Sequence, residues 1–315
     1  MNLIRIIIGS VLVMGCASRS TAPPASAPLP AGAEAMSLLR KPLFAPRLSA
    51  ETRANFEKRL AEARTAWEAN PDDPEAIVWL GRRTAYLGRY REAIRIYSEG
   101  IEKHPMEARL YRHRGHRYIT VRQFDDAIAD FNRAAELIKG KPDEIEPDGL
   151  PNARNIPTST LQSNIWYHLG LAHYLKGDFA RALEAYHECM KVSTNPDMLV
   201  ATTNWLYMTL RRLDRFQEAA AVLAPITRDM NLIENDSYHR LLLVYKGEIS
   251  AESAVSSASA EDRALDDATL GYGVGNWHLY RGFKPQAQRI FKRVLEGESW
   301  AAFGYLAAEA EMARK

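Results

Sequence analysis

Small and aromatic residues recur along this chain at a fixed interval. Gly81 and Gly115 are 34 residues apart, as are Ala93 and Ala127, and so are Tyr97 and Phe131. An interval of this size constrains the fold more than composition does. Each copy is one supersecondary unit that cannot bury its apolar face alone, so several copies must stack around a continuous core. The folded part of the 315-residue chain is therefore expected to form one long stack and not two separate cores. Ahead of the first copy, Phe56, Leu60, Ala63 and Trp67 fall at helical spacing, and predict an amphipathic helix over 50–69 that caps the stack.

The repeated residues resemble the signature of the tetratricopeptide repeat. In the first copy (about 74–105) Ile77, Leu80, Gly81, Gly88, Tyr90, Ala93, Tyr97, Gly100 and Pro105 take signature positions. In the second (108–138) Tyr111, Gly115, Tyr118, Phe124, Ala127, Phe131 and Ala134 do. The third (163–196) offers Trp166, Leu169, Gly170, Gly177, Phe179, Ala182, Tyr186 and Cys189. A weaker copy covers 200–230, a degenerate one 235–265, and a last one 268–296 shows Gly275, Gly282, Ala287, Phe291 and Val294. The resemblance implies an all-α fold, a right-handed α-solenoid of helix-turn-helix pairs over 49–315, with a closing helix at 299–313. About fourteen helices and no strand are expected. Gly and Ala suit close helix approach, and Gly88 and Gly177 suit the ends of first helices. Gly115 to Gly170 spans 55 residues, 21 more than the period, so a Pro-, Gly- and charge-rich loop is inserted at 139–163. Such a loop is either a tolerated surface insertion or a cover over a ligand.

The resemblance also implies an inner groove lined by the first helix of each copy. Carried onto this chain, the groove residues are Arg82, Tyr86, Arg109, Arg112, His116, Tyr167, Tyr174, Asn204, Arg211, Arg212, Tyr272, Asn276 and Tyr280. Arg and Tyr are enriched at protein interfaces, and guanidinium groups pair with carboxylates. An extended partner segment bearing acidic groups or a free C-terminus is the expected occupant. The alternative is that these side chains bond to one another.

The N-terminus reads as an address. Arg5 precedes an apolar run, Ile6 to Met14, too short to span a membrane, which marks 1–15 as a secretory signal. Leu12-Val13-Met14-Gly15-Cys16 resembles a bacterial lipobox, which implies acylation of Cys16. Residues 16–48, rich in Pro, Ala and Ser, read as a disordered tether. Ala17 after the acylated position favours, by the same resemblance, the periplasmic face of the outer membrane. The resulting expectation is a lipid-anchored scaffold or adaptor of the cell envelope that binds envelope proteins. The alternatives are a binder of small ligands or peptidoglycan fragments, or a hydrolase seated in the groove.

Chemistry of its own has little support. A net charge of +2, from 41 basic and 39 acidic residues, argues against a strongly basic nucleic-acid binder. Two cysteines exclude a four-cysteine zinc site. His113 and His116 share a helix face without a metal-ligand motif around them. Gly271-Tyr272-Gly273-Val274-Gly275 follows no strand and lacks the lysine of a phosphate loop. Neither a nucleophile with its base, nor a metal, nor a cofactor is expected, and Cys189 reads as a packing residue.

Overall fold

In a computed structural model the chain is described over residues 29–256 and 263–314. The expected signal peptide and Cys16 lie outside the described residues. A hairpin of β1 (Ala33–Met36) and β2 (Pro42–Phe44) is followed by α1 (Ala50–Ala69), α2 (Pro74–Tyr86), α3 (Tyr90–Lys103), α4 (Ala108–Thr120) and α5 (Phe124–Ile138). After the insertion come α6 (Leu161–Lys176), α7 (Phe179–Val192), α8 (Pro196–Arg212), α9 (Phe216–Val222), α10 (Asp236–Tyr245) and α11 (Ala251–Ser256). The last elements are α12 (Arg263–Tyr280), α13 (Lys284–Val294) and α14 (Phe303–Ala313).

Local chemistry accounts for the boundaries. Asp73 accepts the Glu75 N–H ahead of Pro74, and Asn195 accepts the Met198 N–H ahead of Pro196. Thr160 and Ser163 form a reciprocal capping box at the start of α6. The turn between paired helices needs a left-handed residue, supplied by Gly88, Gly177, Gly247 and Gly282 at φ 75 to 89°. Arg122 (φ 66°) and Asp214 (φ 56°) take that conformation in the other two turns.

Six helix pairs, α2–α3 to α12–α13, stack in sequence as an α-solenoid. First helices touch first helices, α2 to α4, α4 to α6, α6 to α8 and α8 to α10, so they line the inner face. Two expectations are corrected. Residues 29–48 are not wholly a tether: Ala35 pairs with Leu43 in an antiparallel ladder, and both are buried in a cluster with Ile77, Tyr97 and Trp300. Those few apolar residues find enough partners to offset the entropy of ordering them. The closing helix does more than cap the end. α14 packs on α12 and α13 and also reaches α6, so it lies back along the inner face.

Candidate functional site

The insertion is a folded strap. Its arms pair through Glu146 N–H to Ser159 O (3.2 Å) and Leu161 N–H to Glu144 O (2.8 Å). Side chains of three repeats and of the turn before α10 then hold it down. Arg82 and Arg83 of α2 donate to the carbonyls of Pro147 (2.8 Å) and Gly149 (2.7 Å). The Glu146 carboxylate, 7% exposed, sits 3.0 Å from Arg112 of α4 and 3.5 Å from His113, and accepts from Asn164 of α6 at 3.2 Å. Asn195 donates to Thr158 O (2.8 Å), while Thr158 Oγ1 and Asn152 Nδ2 donate to Glu234, just before α10.

Beneath the strap is a cavity of about 380 Å³. Arg112, His116, Asn164, Tyr167 and His168 form its inner wall, with Met198, Tyr238 and Phe303 beside them and Asp148, Thr158 and Glu234 at the strap side. Tyr167 and Tyr238 hydroxyls are 3.1 Å apart. The His116 and His168 rings stand 4.4 Å apart and both face Phe303 at 5.5 Å.

Burial sets the charge states. It holds His113 and His116 well below the usual imidazole value, with neighbouring Arg112 and Arg117 adding to the effect. His168 is pulled down to about 3 by burial and Arg112. Its Nδ1–H donates to Asn164 O at 2.6 Å. Arg112 donates to His113 Nδ1 (2.9 Å), which leaves the Nε2–H to face Glu146. Asp148 moves the other way: burial raises its carboxyl, and Glu234 adds to this. Asp148 Oδ2 and Arg112 Nε are buried without a hydrogen-bond partner. A neutral imidazole near 3 is a poor general base at neutral pH. Ser159 Oγ accepts from Asn164 (2.9 Å) and faces no base. The arrangement is suited to holding a polar group more than to transforming one.

The structure divides the expected groove. Arg112, His116 and Tyr167 line the cavity under the strap, and Arg82 and Tyr86 lie against the strap at Pro147 and Gly149. Tyr174, Asn204, Tyr272 and Asn276 are core residues, at most 1% exposed; Tyr174 and Tyr272 hydroxyls are 2.7 Å apart and Asn276 donates to Tyr174 at 3.2 Å. No partner reaches them. Arg211, Arg212 and Tyr280 line a second cavity of about 500 Å³ at the C-terminal end of α14. There Arg212 pairs with Glu311 (2.6 Å), and the Arg211 guanidinium lies 4.3 Å over the Tyr280 ring. Arg109 stands apart, bound to Glu75 and Glu107. The expected acidic segment therefore finds most of these cations already paired within the chain. Sequence reasoning missed Glu146, Asp148, Glu234, Tyr238 and Phe303; only the unusual charge of the insertion hinted at the first two. Cys189 is a core residue as expected, and burial pushes its thiol up to about 11.

The architecture is that of a helical-repeat protein. Residues 163–195, which take in most of α6, all of α7 and the turn after it, match the family Tetratricopeptide repeat. Repeats of this kind are generally protein-binding and non-catalytic. Tetratricopeptide repeat protein 13 of Homo sapiens is 29% identical over 137 residues, covering 44% of this chain; the chain spans 13% of that protein's length. Among solved structures, a tetratricopeptide repeat protein from Parabacteroides merdae aligns over 83% of this chain and 96% of its own at 15% identity and TM-score 0.46. YrrB, a TPR protein with an unusual peptide-binding site, aligns over 74% and 91% at 14% identity and TM-score 0.43.

Proposed function

We propose that this protein is a lipid-anchored binding scaffold of the bacterial cell envelope, on the periplasmic side of the outer membrane, with no chemistry of its own. It holds a short polar segment of a partner protein in the cavity beneath the strap. The observation that carries this reading is the strap itself, bonded to residues of three repeats and of the turn before α10, over a cavity with an unpartnered carboxylate oxygen. Buried acceptors without donors cost free energy, so the favoured occupant supplies a hydroxyl, amide or ammonium donor to Asp148 Oδ2. The lipobox resemblance at Cys16 supports the anchor.

The test is a photo-crosslinking residue at Tyr238 in the full chain, in cells. An envelope protein should be captured through a defined peptide, and capture should fall at least tenfold with Asp148→Lys. Capture unaffected by Asp148→Lys, or none at all, would overturn the reading of the cavity. Cys16→Ala should release the protein from the membrane fraction, which tests the anchor separately. The polar lining of the cavity also favours a second reading, a small ligand such as a peptidoglycan fragment. A rise in melting temperature with such fragments would select it.

A further inference from the structure

The second helix of each pair faces outward, and in the first three pairs its exposed side mixes charge. α3 carries Arg91, Glu92, Arg95 and Glu99; α5 carries Asp125, Asp126, Arg133 and Glu136; α7 carries Arg181, Glu184, Glu188 and Lys191. α13 departs from this. It buries Ala287, Phe291 and Val294, and its exposed residues include Lys284, Arg289, Lys292 and Arg293 with no acid among them. At 100° per residue, Lys292 and Arg289 form the crest opposite the buried stripe, flanked by Arg293, while Lys284 lies at the edge of the stripe in the first turn. None of these four pairs with a carboxylate among the described residues. The turn before α13 extends the patch. Arg281 lies 4.1 Å over the Trp277 ring, next to Phe283, which is 50% exposed. On the other side, exposed Leu39 and Lys41 of the hairpin line a cavity together with Lys292 and Leu295, with Glu296 as the acid at its edge.

We infer that this face docks on an anionic phospholipid surface. Two observations select a bilayer. The patch combines unpaired cations with exposed aromatic and aliphatic groups, the composition that suits a headgroup interface. It is also continuous with the hairpin that receives the N-terminal leader. Sixteen residues separate Cys16 from Ala33, a chain of at most about 60 Å. The inference rests on the proposed anchor, which would keep this face near the bilayer. One acyl signal plus a basic patch also holds more firmly than either alone.

The test uses the full lipidated chain carrying Gln288→Cys, labelled with an environment-sensitive fluorophore and reconstituted into vesicles. With phosphatidylglycerol present, the emission should shift to the blue; with phosphatidylcholine alone it should not. The shift should vanish in 0.5 M salt, and the docked fraction should fall about tenfold or more with Arg289→Glu/Lys292→Glu/Arg293→Glu. Retention on vesicles in high salt reports the anchor, so a failed anchor and a failed docking face are distinguishable. An equal shift on phosphatidylcholine, or a shift untouched by charge reversal, would overturn the inference. So would a shift produced by soluble polyglutamate and not by vesicles, which would assign the face to an acidic protein.

Discussion

His113, His116 and His168 are neutral in the fold because burial beside Arg112 disfavours a second positive charge. This has a pH signature. In the unfolded chain each takes a proton as pH falls through about 6.5, while the folded chain does not. Below that point the unfolded state binds more protons, so the fold loses stability as pH falls. The stability is fully present above pH 6.5 and declines by up to about 1.4 kcal/mol per pH unit for each histidine. For His168 the decline continues to about pH 3, its folded value. The urea midpoint should therefore drop between pH 7.5 and 5, and His168→Gln should flatten part of that slope. A midpoint constant over this range would contradict the neutral assignment.

At the scale of the element, the repeat positions are packing positions. A Cβ at Gly170 of α6 would lie 2.6 Å from the Tyr186 ring of α7. Gly170→Ala should cost about 1–3 kcal/mol by overpacking, measured as a lower midpoint in urea with unchanged slope. Such positions were legible because they obey local rules: a helix pair needs a small residue opposite an aromatic one in every copy. The caps at Asp73, Thr160 and Asn195 were equally local. The hairpin was not legible. Ala35 and Leu43 are too few to signal strands, and they are ordered by Ile77 and Trp300, which lie far along the chain. The strap was visible as an insertion, but its partners were not, since Arg82, Asn195 and Glu234 come from separate repeats.

At the scale of the whole molecule, the hairpin and α14 are clasped together through Arg122. Arg122 occupies a left-handed turn where four sister turns use glycine, at a strain of about 1–2 kcal/mol. Its guanidinium, 3% exposed, pairs with Glu309 of α14 at 2.6 Å and donates to Trp300 O at 3.0 Å. The Leu38 N–H of the hairpin donates to the same Glu309, and Trp300 Nε1 donates to Phe44 O at 2.8 Å. Arg122→Gly relieves the strain but leaves Glu309 buried and uncompensated, so a net loss of about 2–4 kcal/mol is expected. Hydrogen exchange should accelerate in α14 and in residues 33–44 together, and unchanged exchange in the hairpin would refute the clasp. The sequence by itself determined the helix pairs and their turns, because period and capping act over a few residues. Only the tertiary structure decided that α14 and the strap occupy the inner face. Those contacts join segments more than a hundred residues apart in places, and no local pattern records which distant surface covers a groove.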